Sequence, residues 1–264
     1  VCPLPTAILS THTYEFTDYT LLDMTDEMPK IIEHWNKLGL EFDAVYSGYL
    51  SSGRQIDIIH DFMQSQKKNG ALCVVDPVLG DNALTDVKTV YSDRMTELID
   101  GMRRLCGIAD VITPNLTEAC LLLDRDYPRG TLSNAEIKDV LSALVHLGAK
   151  SAVITSIMDG EDSMCVAVYD GGEYYKIGCD YVKRPFHGTG DIFTSVLTGT
   201  LLGGNDTAKA ANIAADFVAR AIELTARHPE MPVRHGALFE PVLQSGYFAP
   251  EKLGGIPERI EILK

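Results

Sequence analysis

The sequence predicts an α/β protein of three layers: a mostly parallel central sheet, helices on both faces, and an antiparallel hairpin at the edge. Three observations predict it. Short apolar runs alternate with segments whose apolar residues recur every three or four positions, and strands alternating with helices build a layered parallel sheet. The run ALCVVDPV at 71–78 is apolar almost throughout, as a strand covered on both faces must be. Late in the chain, MCVAVYD and EYYKIGC flank Gly171-Gly172, the pattern of an antiparallel hairpin.

The elements follow in order. LPTAIL at 4–9 is short, apolar and rich in strand formers. Thr25 is expected to cap a helix with a stripe of Met28, Ile31, Ile32, Trp35 and Leu38, ended by Gly39. AVYSGYL at 44–50 reads as a strand. A helix over 53–68 turns Ile56, Ile59, Phe62 and Met63 inward and stops at Asn69-Gly70. After the strand at 71–78, a helix at 93–106 carries Met95, Leu98, Ile99, Met102 and Leu105. ADVIT at 109–113 is a strand, with a short helix after Asn115. Ser133-Asn134-Ala135-Glu136 is a capping box opening a helix that ends near Gly148. SAVITS at 151–156 is the next strand, the hairpin follows, and helices start after Gly190 and over 206–227.

Composition narrows the function. The 264 residues carry 23 Lys+Arg against 37 Asp+Glu, a net charge of −14. Nucleic-acid binding needs a basic face to neutralise phosphates, so nucleic acid is disfavoured, and so is an anionic membrane. No run approaches the ~18 apolar residues that span a bilayer. The six cysteines at 2, 73, 106, 120, 165 and 179 form no CxxC pair. They read as free thiols in a reducing compartment, which places the protein in the cytoplasm.

In open α/β sheets, ligands bind beyond the carboxyl ends of the strands. The residues there are Ser47-Gly48-Tyr49, Asp76 to Asp81, Thr113-Pro114-Asn115 and Thr155-Ser156. The sharpest signal is Gly188-Thr189-Gly190-Asp191 before an apolar helix. Unobstructed amides at a helix start make an anion site. A carboxylate there suits a base that takes a proton from a nucleophile attacking a phosphoryl group. Capping alone would need one Asp or Ser and no extra glycines. Asn115 and Glu118 have two readings. N-x-x-E is a capping box that needs no ligand, and Glu118 equally suits Mg²⁺ or a water serving ATP phosphates. Asp76, at the tip of an apolar strand, needs a partner. No Walker A or protein-kinase glycine motif is present, so ATP chemistry would belong to another class. His12 and His187 flank these segments, whereas His34, His60, His146 and His228 fall on helices or their ends.

Taken in order, Ser10-Thr11-His12-Thr13, Ser47-Gly48-Tyr49, Asp76 to Asp81, Thr113 to Ala119, Val153 to Ser156 and Gly188 to Asp191 resemble the pyridoxal kinase branch of the ribokinase superfamily over nearly the whole chain. The resemblance implies ATP-dependent phosphorylation of the 5′-hydroxymethyl of pyridoxal, pyridoxine or pyridoxamine. It implies that Asp191 is the base and that the amides of Gly188, Thr189 and Gly190 hold transition-state charge. Asp76, Thr113, Asn115 and Glu118 match positions handling metal and ATP phosphates. Asp81, Thr155, Ser156 and Thr189 match nucleotide contacts, and Val182, Lys183 and Arg184 lie where relatives pack the nucleotide. Thr13 and Tyr49 match contacts to the vitamer ring with Leu9 and His12 beside them, and Tyr91 matches a flap residue. ATP is the implied phosphoryl donor and Mg²⁺ the metal, with K⁺ or Na⁺ a candidate monovalent cation and a homodimer the implied assembly.

The resemblance has departures. His187 stands where many relatives carry a small or apolar residue. Relatives also have a strand and a helix ahead of the point where this chain begins, so the working enzyme is expected to carry about 30 further residues, the scale of a βαβ unit. Two other functions compete: a hydroxymethylpyrimidine kinase, and a non-catalytic binder of nucleotide or pyridoxal 5′-phosphate. Tyr49 and the Ser-x-His-Thr element favour pyridoxal, and Asp191 is superfluous in a mere binder.

Overall fold

The computed structural model describes residues 1–12, 16–80, 93–184 and 186–264. Its centre is a seven-stranded sheet. The strands are β3 (Ala44–Ser47), β4 (Leu72–Val75), β5 (Val111–Ile112), β6 (Ser151–Met158), β7 (Ser163–Asp170), β8 (Glu173–Asp180) and β9 (Ile260–Ile262), side by side in that order. The pairings from β3 to β6 are parallel. Those from β6 to β9 are antiparallel, so the expected hairpin is present as β7–β8 and β9 extends it. Two shorter strands, β1 (Ala7–Leu9) and β2 (Leu21–Asp23), pair with each other in a separate antiparallel ribbon. The apolar run at 4–9 thus forms a strand outside the main sheet.

Period-two alternation sorts the strand residues between two cores. Val45, Cys73, Val75, Ile112, Ala152 and Ile154 face one layer. It contains α1 (Met28–Lys37), α2 (Gly53–Lys67), α3 (Asp93–Cys106), α4 (Leu116–Leu123) and α5 (Asn134–Val145). Val74, Val111, Val153, Val166 and Val168 face the other. There α6 (Thr189–Leu202) and α7 (Thr207–Ala226) bring Phe193, Leu197, Ile213 and Phe217, with α8 (Glu240–Gln244) beyond them. A last short helix, α9 (Pro250–Leu253), precedes β9. The three expected layers are therefore present. Among the described residues, no helix is long and apolar enough to cross a membrane.

Caps explain the helix starts, with one correction. Ser52 accepts from the Gln55 amide, Asp206 accepts from the Lys209 amide, and Ser133 with Glu136 forms the expected capping box. Thr25 does not cap α1. Its own amide is taken by the Asp23 carboxylate at 2.8 Å, and the chain turns there before Pro29 opens the helix, with Glu27 at the N-cap. Proline suits a first turn because the N–H it lacks has no helical partner there. Cys73, Cys106, Cys120 and Cys165 are buried thiols, while Cys2 is exposed and Cys179 half-buried.

Candidate active site

At the carboxyl ends of β4, β5 and β6 lies a cleft of about 250 Å³. It gathers Asp76, Thr113, Asn115, Glu118, Thr155, Ser156, Gly188, Thr189, Gly190 and Asp191 from four separate stretches of sequence. The alternation that built the cores also aims these groups. Asp76 continues β4 one residue past Val75, onto the face that carries Val74, and Thr113 continues β5 onto the face that carries Val111. Both therefore point toward α6. There Thr194 Oγ1 lies 2.9 Å from Thr113 Oγ1 and donates to Asp76 Oδ2 at 3.4 Å. Thr155 and Ser156 fall where the β6–β7 register breaks between Ile154 and Ile157. Such an irregularity re-aims side chains that a regular ladder would point across the sheet.

The start of α6 is shaped by its glycines. Gly188 is the N-cap with φ +79°, a left-handed conformation that L side chains resist. Gly190 sits inside the first turn with ordinary φ, and a Cβ built there would meet nothing within 4 Å. Packing therefore leaves a side chain room at 190, and that room opens on the cleft. Thr189 Oγ1 ties back to the Phe186 carbonyl at 3.1 Å and closes the turn. Asp191 lies in the first helical turn and is exposed. The helix-start amides are orphan donors by construction, and they make this corner attractive to anions.

Glu118 forms the capping box that one of its two readings requires. Its Oε2 accepts from the Asn115 amide at 2.9 Å while Asn115 Oδ1 accepts from the Glu118 amide, a complete capping box. Its Oε1 accepts from the Leu79 amide at 3.2 Å, which ties the segment after β4 to the cleft. Asn115 Nδ2 donates to the Gly80 carbonyl at 3.2 Å in the same place. Glu118 is 4% exposed, yet it lines the cleft.

A second cavity of about 460 Å³ adjoins the first, and Gly188 and Asp191 line both. Its walls include His187, Ile192, Phe217, His235 and Phe239. His12 stacks on His187 with ring centroids 6.1 Å apart, and its Nε2 donates to the Arg234 carbonyl at 2.6 Å. The segment after β1 is thereby held against His187, which lines this cavity together with Asp191.

Other expected residues are placed elsewhere. Tyr49 is 48% exposed and Leu9 half-buried, and neither lines these cavities. Val182, Lys183 and Arg184 do not line the cleft either. Lys183 pairs with Asp162 at 2.6 Å, and Arg184 donates to the Met231 carbonyl and lies over the Phe186 ring. Phe186, with Met164, Val218 and Ile222, supplies the apolar wall instead. Thr13, Asp81 and Tyr91 lie outside the described residues. Sequence reasoning missed Tyr46, which is half-buried on the same face of the sheet as Asp76. Burial, then the charges of Asp76 and Asp191, push its phenol far above the ordinary tyrosine range. It therefore stays neutral. The spacing of β3 could have flagged it, because position 46 shares a face with Asp76.

A mostly parallel seven-stranded sheet with helices on both faces, and a glycine-started helix beyond its strand ends, is the architecture of the ribokinase-like kinases. Comparison narrows this class. Residues 6–237 match the phosphomethylpyrimidine kinase family, and the chain belongs to that family, which takes in pyridoxal and hydroxymethylpyrimidine kinases. A Bacteroides thetaiotaomicron crystal structure classed with the phosphomethylpyrimidine kinases is 40% identical, with a TM-score of 0.88 over 99% of this chain and 86% of its own. An orthorhombic form of that protein, with a TM-score of 0.86, contains pyridoxal. Pyridoxal kinase from Staphylococcus aureus, in complex with AMP-PCP, is 26% identical with a TM-score of 0.67 over 83% of this chain and 76% of its own. The hydroxymethylpyrimidine/phosphomethylpyrimidine kinase of Aquifex aeolicus is 26% identical over 201 residues, 75% of this chain and 72% of that protein. The chain spans only 34% of the bifunctional thiamine biosynthetic enzyme TH1 of Arabidopsis thaliana, at 28% identity over 186 residues.

Proposed function

We propose that this protein is an ATP-dependent vitamin B6 kinase that phosphorylates the 5′-hydroxymethyl group of a pyridoxal-type vitamer. The observation that carries the choice of substrate is the pyridoxal in the 40%-identical Bacteroides neighbour. The choice of reaction rests on Asp191, which lines both the cleft and the adjoining cavity. In this reading the ATP phosphates lie in the cleft, over Gly188 to Gly190, and the acceptor alcohol comes from the side of His12 and His187. Asp191 takes the hydroxyl proton as the oxygen bonds to the γ-phosphorus, and ADP leaves with the electron pair of the broken P–O bond. The α6 amides hold the charge on the transferring oxygens.

The residues present fit a magnesium ion that arrives with the nucleotide. Mg²⁺ prefers one or two carboxylates plus phosphates and waters. The cleft offers Asp76 and Glu118 with hydroxyls around them, and among the described residues no group of three or more His, Cys, Asp and Glu could hold a metal. In this reading Asp76, Thr113 and Glu118 would hold the ion, which neutralises phosphate charge when bound. Asn115, Thr155, Ser156 and Thr189 would contact the nucleotide. A cytoplasmic homodimer belongs to the same proposal, and Ile8, Leu21 and Leu22, exposed on the β1–β2 ribbon, offer a second copy an apolar surface.

Two measurements bear on this reading. In a competition assay with ATP consumption as readout, pyridoxal or pyridoxine is expected to exceed hydroxymethylpyrimidine in kcat/KM by at least about tenfold, because polar groups left unpaired by the wrong ring cost orders of magnitude. Equal or reversed preference moves the protein to the pyrimidine branch, the reading that the Aquifex relative favours. For Glu118→Gln, the amide oxygen still accepts one backbone N–H, but the amide nitrogen meets the other donor to donor. The Mg²⁺ and ATP requirements are expected to rise about tenfold, the scale of a hydrogen bond to a charged group. Unchanged Mg²⁺ dependence with unchanged turnover would leave Glu118 as a helix cap only.

A further inference from the structure

Beside its polar groups, the cleft has an apolar wall made by Met164 of β7, Phe186, and Val218 and Ile222 of α7. Val218 and Ile222 are four positions apart and so share one face of their helix. Strand and helix fix the direction of three of these side chains. Phe186 alone lies outside the regular elements, in the segment that joins β8 to α6. An aromatic ring on such a segment stays in a wall only if its neighbours hold it there.

Two side chains fasten that segment. Thr189 Oγ1 donates to the Phe186 carbonyl at 3.1 Å, which ties the backbone to the start of α6. Arg184 holds it from the other side. Its Nη2 donates to the Met231 carbonyl at 2.5 Å, beyond the end of α7, and its guanidinium lies 5.8 Å from the centre of the Phe186 ring. A guanidinium within about 6 Å of a ring face is attracted by the ring's quadrupole. Arg184 therefore joins the segment that carries Phe186 to the chain just past the helix that carries Val218 and Ile222. Among the described residues it pairs with no carboxylate, whereas its neighbour Lys183 pairs with Asp162. In a chain of net charge −14, a cation with no other task would meet an acid easily. The planar fork is used instead on a carbonyl and a ring, which a compact ammonium serves less well.

We propose that Arg184 is a positioning residue that holds the Phe186 ring in the cleft wall, where the ring packs against the base of the bound nucleotide. This rests on the proposed function for the nucleotide in the cleft. An apolar wall beside a phosphate-binding corner suits a ligand with a flat heteroaromatic ring at one end and phosphates at the other. Arg184 does not line the cleft itself. It acts from behind the ring, not on the phosphates.

The test uses the full chain. Affinities for ADP and for inorganic pyrophosphate, both with Mg²⁺, are measured by calorimetry for wild type, Arg184→Ala and Phe186→Leu. Arg184→Ala is expected to lose roughly 5- to 30-fold in affinity for ADP, the scale of a charged hydrogen bond or a cation–π contact. It should lose nothing for pyrophosphate, which has no base. Phe186→Leu should show the same split, and the double variant should lose less than the product of the two, because the arginine acts through the ring. In turnover, the KM for ATP should rise while kcat and the KM for the acceptor alcohol stay. Arg227→Ala removes an exposed cation paired with Glu223 at the end of α7 and should leave both affinities unchanged. Where Arg184→Ala does not fold, Arg184→Lys, which keeps the charge without the planar fork, should give a smaller loss confined to ADP. Unchanged ADP affinity, an equal loss for ADP and pyrophosphate, an equal loss in Arg227→Ala, or fully multiplicative losses in the double variant each overturn the proposal. A wild-type chain that binds neither ligand overturns the proposed function as well, whereas one that binds both, with no split in the variants, removes Arg184 alone.

Discussion

Replacing Asp191 with alanine is expected to lower kcat by about 10²–10⁴, the range for a general acid–base group. Nucleotide affinity should change little. In the proposed function the phosphate charge is held by backbone amides of residues 188–190, and a side-chain change at 191 leaves them in place. Asp191 is also exposed at the first turn of α6, where a favourable charge at a helix start is worth up to about 1 kcal/mol. The folded population is therefore preserved, and the loss of rate is read as chemistry. Asp191→Asn sharpens the point, since it keeps the shape and removes the basicity, and it should be as slow as the alanine variant. The check is steady-state turnover beside ADP affinity for both. Turnover within about tenfold of wild type would remove Asp191 as the base.

The sequence showed the site more clearly than the peripheral strands. Ten of the residues it singled out meet in one cleft, because strand ends in a layered sheet fall at one edge whatever the strand lengths. Strand limits were harder. ADVIT and ALCVVDPV look like five- and eight-residue strands, yet the paired segments are Val111–Ile112 and Leu72–Val75. Asp76 and Thr113, one residue past them, still donate a backbone bond to the neighbouring strand while their side chains line the cleft, and apolarity does not reveal where full pairing stops. The β1–β2 ribbon and β9 have three residues each, too few for a period-two pattern to stand out. Thr25 looked like a cap because its residue type fits, but Asp23 turned the chain two residues earlier. Val182 to Arg184 were expected at the nucleotide; they do not line the cleft, which Phe186 does, and Lys183 pairs with Asp162. Side-chain direction in a bend has no period to read. Tyr46 was passed over because an aromatic residue in a strand reads as core, and only the fold brings the charges of Asp76 and Asp191 to bear on its hydroxyl.

Gly148→Ala is expected to be the most destabilising single substitution among these tests, by about 3 kcal/mol or more. Gly148 follows α5 with φ +123°, outside the range L side chains favour. It also touches the turn after α3, where a Cβ would stand 2.4 Å from the Gly107 carbonyl oxygen and 3.1 Å from the Gly107 Cα. Gly107 is equally constrained, since a Cβ on it would lie 2.7 Å from the Leu147 carbonyl oxygen. The two glycines let two turns interlock backbone to backbone, just before β5 and β6 enter the sheet. Neither side can yield by rotating a side chain. The backbone must shift, and overpacking of this kind adds about 1–3 kcal/mol to the about 1–2 kcal/mol of a forbidden φ. For a chain of this size, each kcal/mol moves the thermal midpoint by roughly 2–4 °C, so a fall of roughly 6–15 °C is expected. Gly70→Ala is the control. Its φ is +92°, but a Cβ there would meet nothing within 4 Å, so it should lose only the conformational part, roughly 2–6 °C. Because the Gly107–Gly148 contact lies at the opposite end of the strands from the cleft, turnover per folded molecule should remain that of wild type. Thermal unfolding of the two variants, followed side by side, decides the matter: equal midpoints would mean that the close approach of the two turns is not what demands glycine at 148.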